Sequence, residues 1–400
     1  YLWRLGLLCV LLFSASSEVR ASHAMGADLT YQCIGPNQYR VTLRVFRDCN
    51  GISMATAFAI NYSGCGTTGT LNAALVSTTD ITPLCPSQTS ACAGGSSPLG
   101  VEEYVYQGVV TLPAGCNDWR FSATTCCRND AITNLTSPGS NEFYIETRLN
   151  NTLTPCNNSP VFASSPTPFT CVNQPVVYQQ LANDPDGDSL VYSLTNCLQA
   201  AGTNVTYAGG RSGANPLTNP VTLNPQTGEM TFTATSTQVA AICVRVEEFR
   251  NGVKIGEIVR DLQFVITNCS NQLPALSGIN GVPNVYNIST CQGSTVCFSI
   301  PATDGNAGDN LTMTFIGSLP GGHTFTQVGT GNNISANFCW TPPVGVTGSY
   351  TFSVRTDDGA CPIPGSNSRA YTINVQPNPN PPVSAGADRT ICRGQSTILN

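Results

Sequence analysis

Apolar and polar residues alternate with period two along most of the chain, and no long window carries helical periodicity. In residues 38–49, Tyr39, Val41, Leu43 and Val45 fall on one side and Arg40, Thr42 and Arg44 on the other. That is the signature of a half-buried strand. Similar runs occupy 104–112, 119–123 and 143–149, separated by Gly, Pro and Asn turns. The pattern predicts one β domain over residues 22–157.

After Cys156 the pattern repeats itself with an offset of about 120 residues. CVNQPVV at 171–177 matches CQGSTVC at 291–297, and LANDPDGDSLVYSL at 181–194 matches IPATDGNAGDNLTMTF at 300–315. MTFTATST (230–237) then matches FCWTPPVG (338–345), and CVRVEEFRNG (243–252) matches SVRTDDGACP (353–362). Strand, Asp-Gly turn, strand, Thr/Pro turn and a final V-x-V strand recur in the same order, which describes two β-sandwiches of roughly 100 residues each. Repeat 1 is expected at 158–270 and repeat 2 at 271–376. The linker PNPNPPVSAGAD then leads, within 377–400, to the opening of a further module. The expected fold class is all-β: tandem, disulfide-rich β-sandwiches behind a signal peptide.

The signal peptide is expected at residues 1–21. Arg4 supplies the charged start, LGLLCVLLF (5–13) the apolar stretch, and cleavage fits after Ala21. Nine apolar residues are too few to span a bilayer, so no transmembrane segment is expected. Composition agrees with export. Only 10% of residues are charged, against about 25% in ordinary soluble proteins. With 17 basic and 23 acidic residues, net −6, the chain lacks the basic footprint of a nucleic-acid binder. The 2 histidines leave little for His-based catalysis or zinc.

In an oxidising compartment the cysteines default to disulfides. Nine lie between Cys33 and Cys156, four from Cys171 to Cys269, four from Cys291 to Cys361, and Cys392 stands alone. Each group of four can close two bridges within its own repeat; the group of nine and Cys392 cannot close alone. Cys297 with Cys339, both on expected core strands, is the favoured pair, followed by Cys197 with Cys243 and Cys171 with Cys269. Adjacent Cys126 and Cys127 are expected to face opposite sides of one strand and to anchor it to two others.

The two repeats resemble bacterial cadherin-like or Ig-like modules, on the strength of the A-x-DPDGD-x-L-x-Y turn and the closing V-x-V strand. SAGADRTICRGQSTILN resembles the start of an Ig-like or polycystic-kidney-disease-type module. SHAMGADLTYQC, VFRDCNG, CCRNDAITN, VEEFRNG and RDLQFVITNC together resemble the amino-terminal part of gliding-motility-associated, type IX-secreted surface proteins of Bacteroidota. The resemblance implies a bacterial cell-surface or secreted location and continuation into further modules.

The sharpest chemistry is Asp184-Pro-Asp186-Gly-Asp188. Three carboxylates around a Gly turn suit calcium, which takes six to eight oxygens. The repeat alignment adds Glu247 and Glu248 as candidate ligands, and a poorer copy is Asp304 and Asp309 with Asp357 and Asp358. The alternative is a solvated turn whose carboxylates cap backbone amides. Tyr104, Tyr106, Trp119 and Trp340 could stack on sugars, though alternate placement on strands favours core packing. The Asn-x-Ser/Thr triplets at Asn61, Asn134, Asn204, Asn287, Asn310 and Asn333 read as outward polar strand positions. No G-x-S-x-G occurs, and adjacent acids on a strand diverge, so no enzyme is expected. The sequence thus predicts a non-catalytic adhesin or structural stalk. Amino-terminal loops such as 61–70 and 86–100 would contact a protein or glycan ligand. The alternative is a set of carbohydrate-binding accessory modules of a larger secreted enzyme.

Overall fold

The computed structural model describes residues 24–97, 99–164 and 169–378. The expected signal peptide, Cys392 and nearly all of 377–400 lie outside the described residues. Secondary structure among the described residues is strand throughout, with three single-turn 3-10 segments.

The amino-terminal region supplies β1 (Ala24–Gly35), β2 (Gln38–Asp48), β3 (Ala57–Gly64), β4 (Thr67–Asp80), β5 (Val101–Thr111), β6 (Trp119–Thr125) and β7 (Phe143–Leu149). Period two is realised as read: Tyr39, Val41, Leu43 and Val45 are all within 1% of complete burial. Repeat 1 supplies β8 (Val161–Phe162), β9 (Phe169–Cys171), β10 (Val176–Gln179), β11 (Ala182–Asn183), β12 (Ser189–Thr195), β13 (Leu198–Ala200), β14 (Thr203–Asn204), β15 (Thr222–Leu223), β16 (Glu229–Phe232), β17 (Gln238–Arg250) and β18 (Val253–Thr267). Repeat 2 supplies β19 (Ala275–Leu276), β20 (Asn287–Cys291), β21 (Val296–Thr303), β22 (Thr312–Ile316), β23 (His323–Val328), β24 (Asn333–Trp340), β25 (Gly348–Asp357) and β26 (Ser366–Gln376).

The two repeats share a strand plan. In repeat 1, β9 runs parallel to β18, which pairs antiparallel with β17, and β17 with β12. In repeat 2, β20, β26, β25 and β22 follow the same order and directions. The opposing sheets, β10-β16-β15 and β21-β24-β23, match as well. Each pair of sheets encloses its own apolar core, around Phe264 and Met230 in repeat 1 and around Phe338 and Phe352 in repeat 2.

The amino-terminal sheet runs β1-β2-β5-β4-β3-β6-β7 and returns on itself through repeat 1. One edge of β18 receives β7, with Gly256 opposite Leu149, and then β1, with Arg260 opposite Asp28 and Asp261 opposite Ala27. The same strand pairs along its other edge with β17. The sheet therefore continues unbroken across the 157/158 boundary read from the sequence. The seam is charged and paired in part: Asp261 Oδ1 and Arg128 Nε have no partner. Arg128 donates to Asp261 at 2.7 Å with both side chains 2% exposed or less, and Arg44 forms a fork on buried Asp28, at 2.8 Å on each oxygen. Buried charges are tolerated only when paired in this way; removing one partner typically costs about 3–5 kcal/mol.

Eight disulfides join sixteen of the described cysteines. Cys171–Cys269, Cys197–Cys243 and Cys297–Cys339 are bonded. Within the amino-terminal group, Cys33 bonds Cys156, Cys49 bonds Cys92, and Cys65 bonds Cys116. Two expectations are corrected. Cys126 and Cys127 bond each other rather than anchoring two other strands, and they follow the end of β6 at Thr125. Repeat 2 closes one internal bridge rather than two: its Cys361 bonds Cys85 of the amino-terminal region, and Cys291 bonds no other cysteine among the described residues.

Candidate functional site

The Asp184–Asp188 turn links β11 to β12. Asp184 Oδ1 accepts the backbone N–H groups of Asp186 (2.9 Å) and Asp188 (3.1 Å), and Gly187 takes φ +81° to complete the tight turn. Asp186 accepts two bonds from Asn158, through its backbone and side-chain nitrogens, each 2.8 Å. Arg250, at the end of β17, reaches across from Asp188 (Nε, 2.7 Å) to Asn157 Oδ1 (3.0 Å) and lies 3.3 Å from Asp186. Glu248 enters the cluster from β17, fully buried, and accepts from Asn157 Nδ2 at 2.7 Å. Its Oε2 and Asp184 Oδ2 find no partner. Burial, then the Asp184 charge, pushes Glu248 up to about 9. Burial, against two backbone N–H bonds and with its acidic neighbours, pushes Asp184 up to about 6. Glu247 is not part of the site. Strand alternation turns it to the other face of β17, where Lys254 pairs with it at 2.5 Å.

The second acidic turn lies between β21 and β22. Asp304, Asp309 and Asp358 each bring one oxygen into a cluster in which all three lie within 4.8 Å of one another. Asp304 is 8% exposed; its Oδ1 accepts from Asn306 N at 2.7 Å while Oδ2 has no partner, and Asp309 Oδ2 has none either. Asp358 accepts from Ala360 N and Gly365 N, each 2.8 Å, and from Asn271 Nδ2 at 2.6 Å. Burial first and then the neighbouring carboxylates raise Asp304 and Asp309 above the usual range. Asp357 lies outside the cluster and pairs with Arg355 at 2.5 Å.

The two turns correspond atom for atom at the joint with the preceding segment. Asn158 N on Asp186 is matched by Gln272 N on Asn306 (2.7 Å), and Asn157 on Glu248 by Asn271 on Asp358. One position breaks the match: where repeat 1 has Arg250, the aligned residue of repeat 2 is Ala360. Among the described residues no Lys, Arg or His forms an ion pair with Asp304, Asp309 or Asp358.

The joint between the repeats is tightly made. The exposed N–H groups of edge strand β10 are taken by side chains of β26, Val177 N by Asn367 Oδ1 (2.8 Å) and Gln179 N by Ser368 Oγ (3.1 Å), and Arg369 pairs with Glu229 at 3.1 Å. Gln174 donates to Asn271 O at 2.5 Å and accepts from Leu273 N. Tyr104, Tyr106, Trp119 and Trp340 are buried in the cores and offer no sugar platform. Asn134 is also buried, held by Pro216 O and Ala241 O.

Of the expected binding loops, 61–70 is instead a hairpin. Asn61 stands opposite Thr70 across a turn at Cys65-Gly66, where both residues take positive φ, the geometry of a two-residue hairpin turn. Its outer face presents Asn61, Thr68, Thr70 and Asn72 to solvent. The 86–100 segment is fastened to β2 through Cys49–Cys92, and Cys85, just before it, to repeat 2 through Cys361. The sequence reading missed Arg250 as an internal cation and the Cys85–Cys361 link; the leftover cysteine of the odd group was the only signal for the latter.

Residues 279–376 match the family model described as a putative Ig domain. No curated protein matches the chain. Among solved structures, an endo-fucoidan hydrolase of glycoside hydrolase family 107 aligns over 76% of this chain and 39% of its own length, with 15% identity and a TM-score of 0.21. This chain thus spans about two fifths of that enzyme. The titin I-band fragment I67-I69 aligns over 88% of this chain and 99% of its own, with 7% identity and a TM-score of 0.19. Protocadherin gammaB7 EC3-6 covers 55% and 48% respectively, with 18% identity and a TM-score of 0.19. The chain is all-β and disulfide-rich with an Ig-like module in its carboxy-terminal part, and no described helix is long and apolar enough to cross a membrane.

Proposed function

We propose that this chain is a non-catalytic, secreted cell-surface protein that bears load between a surface and a ligand. It would act as an adhesin or structural stalk of the gliding-associated kind that its sequence resembles. The observation that carries this reading is the way the three regions are fastened: one strand common to two of them, a disulfide between the first and third, and a joint in which side chains satisfy an edge strand. Rigid fastening limits the ordering entropy lost on binding, which benefits a contact made at one end of a long molecule. The polar outer face of the β3–β4 hairpin is the contact surface.

Calcium completes the joint at Asp304, Asp309 and Asp358. The fit rests on two carboxylate oxygens, on Asp304 and Asp309, that lie buried without a partner and on the absence of a paired cation among the described residues. Backbone carbonyls and water would fill the remaining positions of a six- to eight-oxygen shell. At Asp184, Asp186 and Asp188, Arg250 already supplies the positive charge.

Two measurements test this. The full chain is assayed for adhesion to glycans, proteins and cells beside an Asn61→Arg, Thr70→Arg variant. Loss of adhesion in the variant supports the hairpin face, equal adhesion overturns it, and glycan cleavage overturns the non-catalytic reading. Binding confined to glycans would favour the accessory-module alternative. For calcium, titration calorimetry of the full chain should show binding that Asp304→Asn abolishes and Asp186→Asn leaves unchanged; no heat at millimolar calcium would overturn the site.

A further inference from the structure

We propose that the Cys85–Cys361 disulfide is a tension bypass: it takes repeat 1, and its joint with repeat 2, off the load path of a chain pulled at its two ends. The proposal rests on the load-bearing reading above.

The argument is one of connectivity. A covalent cross-link fixes the distance between the residues it joins, so tension follows the shortest covalent route, and only residues on that route can be drawn out. From the amino-terminal side the route enters along β1 to Cys33 and continues along β2 to Cys49. It crosses to Cys92, steps back to Cys85, crosses to Cys361 and leaves along β26. Residues 157–296 are never on it. The bridge closes 276 positions of sequence, enclosing all of repeat 1 and most of repeat 2. Without the bridge the route must cross Cys33–Cys156, run through 157–170, cross Cys171–Cys269, traverse the joint at 270–296 and cross Cys297–Cys339. That route is longer by about 140 Å at roughly 3.4 Å per residue. It also runs through Asn157, Asn158, Asn271 and Gln272, the residues that hang on the two acidic turns.

The bridge is seated in structure at both ends. Cys85 is 1% exposed, and its backbone N–H donates to Pro362 O at 3.1 Å, so the 80–100 loop lies docked on repeat 2. On the exit side, β26 is held between β20 and β25, and Arg369 ties it to Glu229. The strand that carries tension out of the bypass is therefore a central strand of repeat 2, paired on both edges.

The test places a specific protease site after Ser164 of the full chain. Every other disulfide lies wholly on one side of that point: four before it and three after. Cleaved protein should therefore run as one species in denaturant and as two only after reduction. Tethered at both ends and pulled at forces that unfold the modules, the cleaved chain should hold and reach the same final extension as the uncleaved one. A Cys85→Ser, Cys361→Ser variant, uncleaved, should extend about 140 Å further. Parting of the cleaved chain under load, or equal extension of the variant and the parent, would overturn the bypass. If the double variant does not fold, the cleaved parent alone decides. Failure of the load-bearing reading shows elsewhere, as absence of adhesion by the intact chain, and does not alter these extensions.

Discussion

Repeats 1 and 2 face the same electrostatic problem at the same place and meet it in different ways. Both put an acidic turn against a carboxylate from the penultimate long strand, and both hang an asparagine of the preceding segment on that carboxylate. Repeat 1 places Arg250 over the cluster, so most of its charge is answered within the chain. Repeat 2 has Ala360 at the matching position, and its three oxygens converge without a cation. A turn of this kind is thus a common frame whose counter-charge repeat 1 supplies from within the chain; calcium as its counterpart in repeat 2 is the proposal made above. The repeats differ in fastening as well: repeat 1 keeps both its bridges to itself, while repeat 2 keeps one and gives Cys361 to the amino-terminal region.

The largest effect that would sharpen this contrast lies in the internal bridges. Cys171–Cys269 closes a separation of 98 and Cys297–Cys339 one of 42. Loop-closure entropy then predicts losses of about 5 kcal/mol for Cys171→Ser, Cys269→Ser and about 4 kcal/mol for Cys297→Ser, Cys339→Ser. Denaturant melts of the two variants check this, and an inverted order would show that strain or residual unfolded structure governs instead. Next comes the cation exchange. Arg250→Ala should cost repeat 1 about 2–3 kcal/mol, since Asp188 is nearly buried and loses a forked partner. The same change should create a calcium response there, and Ala360→Arg should remove the one in repeat 2. Calorimetric melts with and without millimolar calcium read both; calcium sensitivity unchanged in either variant would break the comparison.

The last effect is in pH. Glu248 and Asp184 hold protons in the folded chain, up to about pH 9 and 6, that the unfolded chain releases near 4.5 and 3.8. Folded-state values raised in this way give stability that is complete below the unfolded values and declines as pH rises through the folded ones. Glu248→Gln keeps an acceptor for Asn157. It should flatten the decline between about pH 5 and 9. Melts across that range check it, and a steeper decline in the variant would assign Glu248 a structural charge rather than a proton.

Much of this could be read from the sequence because it is local. The alternation at residues 38–49 became β2 with its burial as expected, and the spacing of the Asp-Gly turns and V-x-V strands became a shared strand plan. Alternation required Glu247 and Glu248 to diverge, but which of them faces the acidic turn waited on the register of β17, which turns Glu247 toward Lys254 and Glu248 inward. Composition made 61–70 resemble a loop, whereas the positive φ pair at Cys65-Gly66 makes it a hairpin. Cysteine parity required one bridge to leave the amino-terminal group but could not name Cys85, because the choice depends on which loop the fold lays on repeat 2. The pairing of β1 with β18 left no trace either, since it joins segments far apart in sequence and no periodicity encodes a partner strand.

That last pairing has a consequence for how the molecule comes into being. The amino-terminal sheet cannot close when its own residues are complete; β1 and β7 must wait for β18, the last strand of the following module. Until residue 267 has emerged, two strand edges and the Arg128 side chain lack their final partners. Open edges of this kind invite pairing with neighbouring chains. Contacts this distant in sequence also slow folding. The nascent protein therefore has a vulnerable interval set by topology, which ends with the arrival of a single strand.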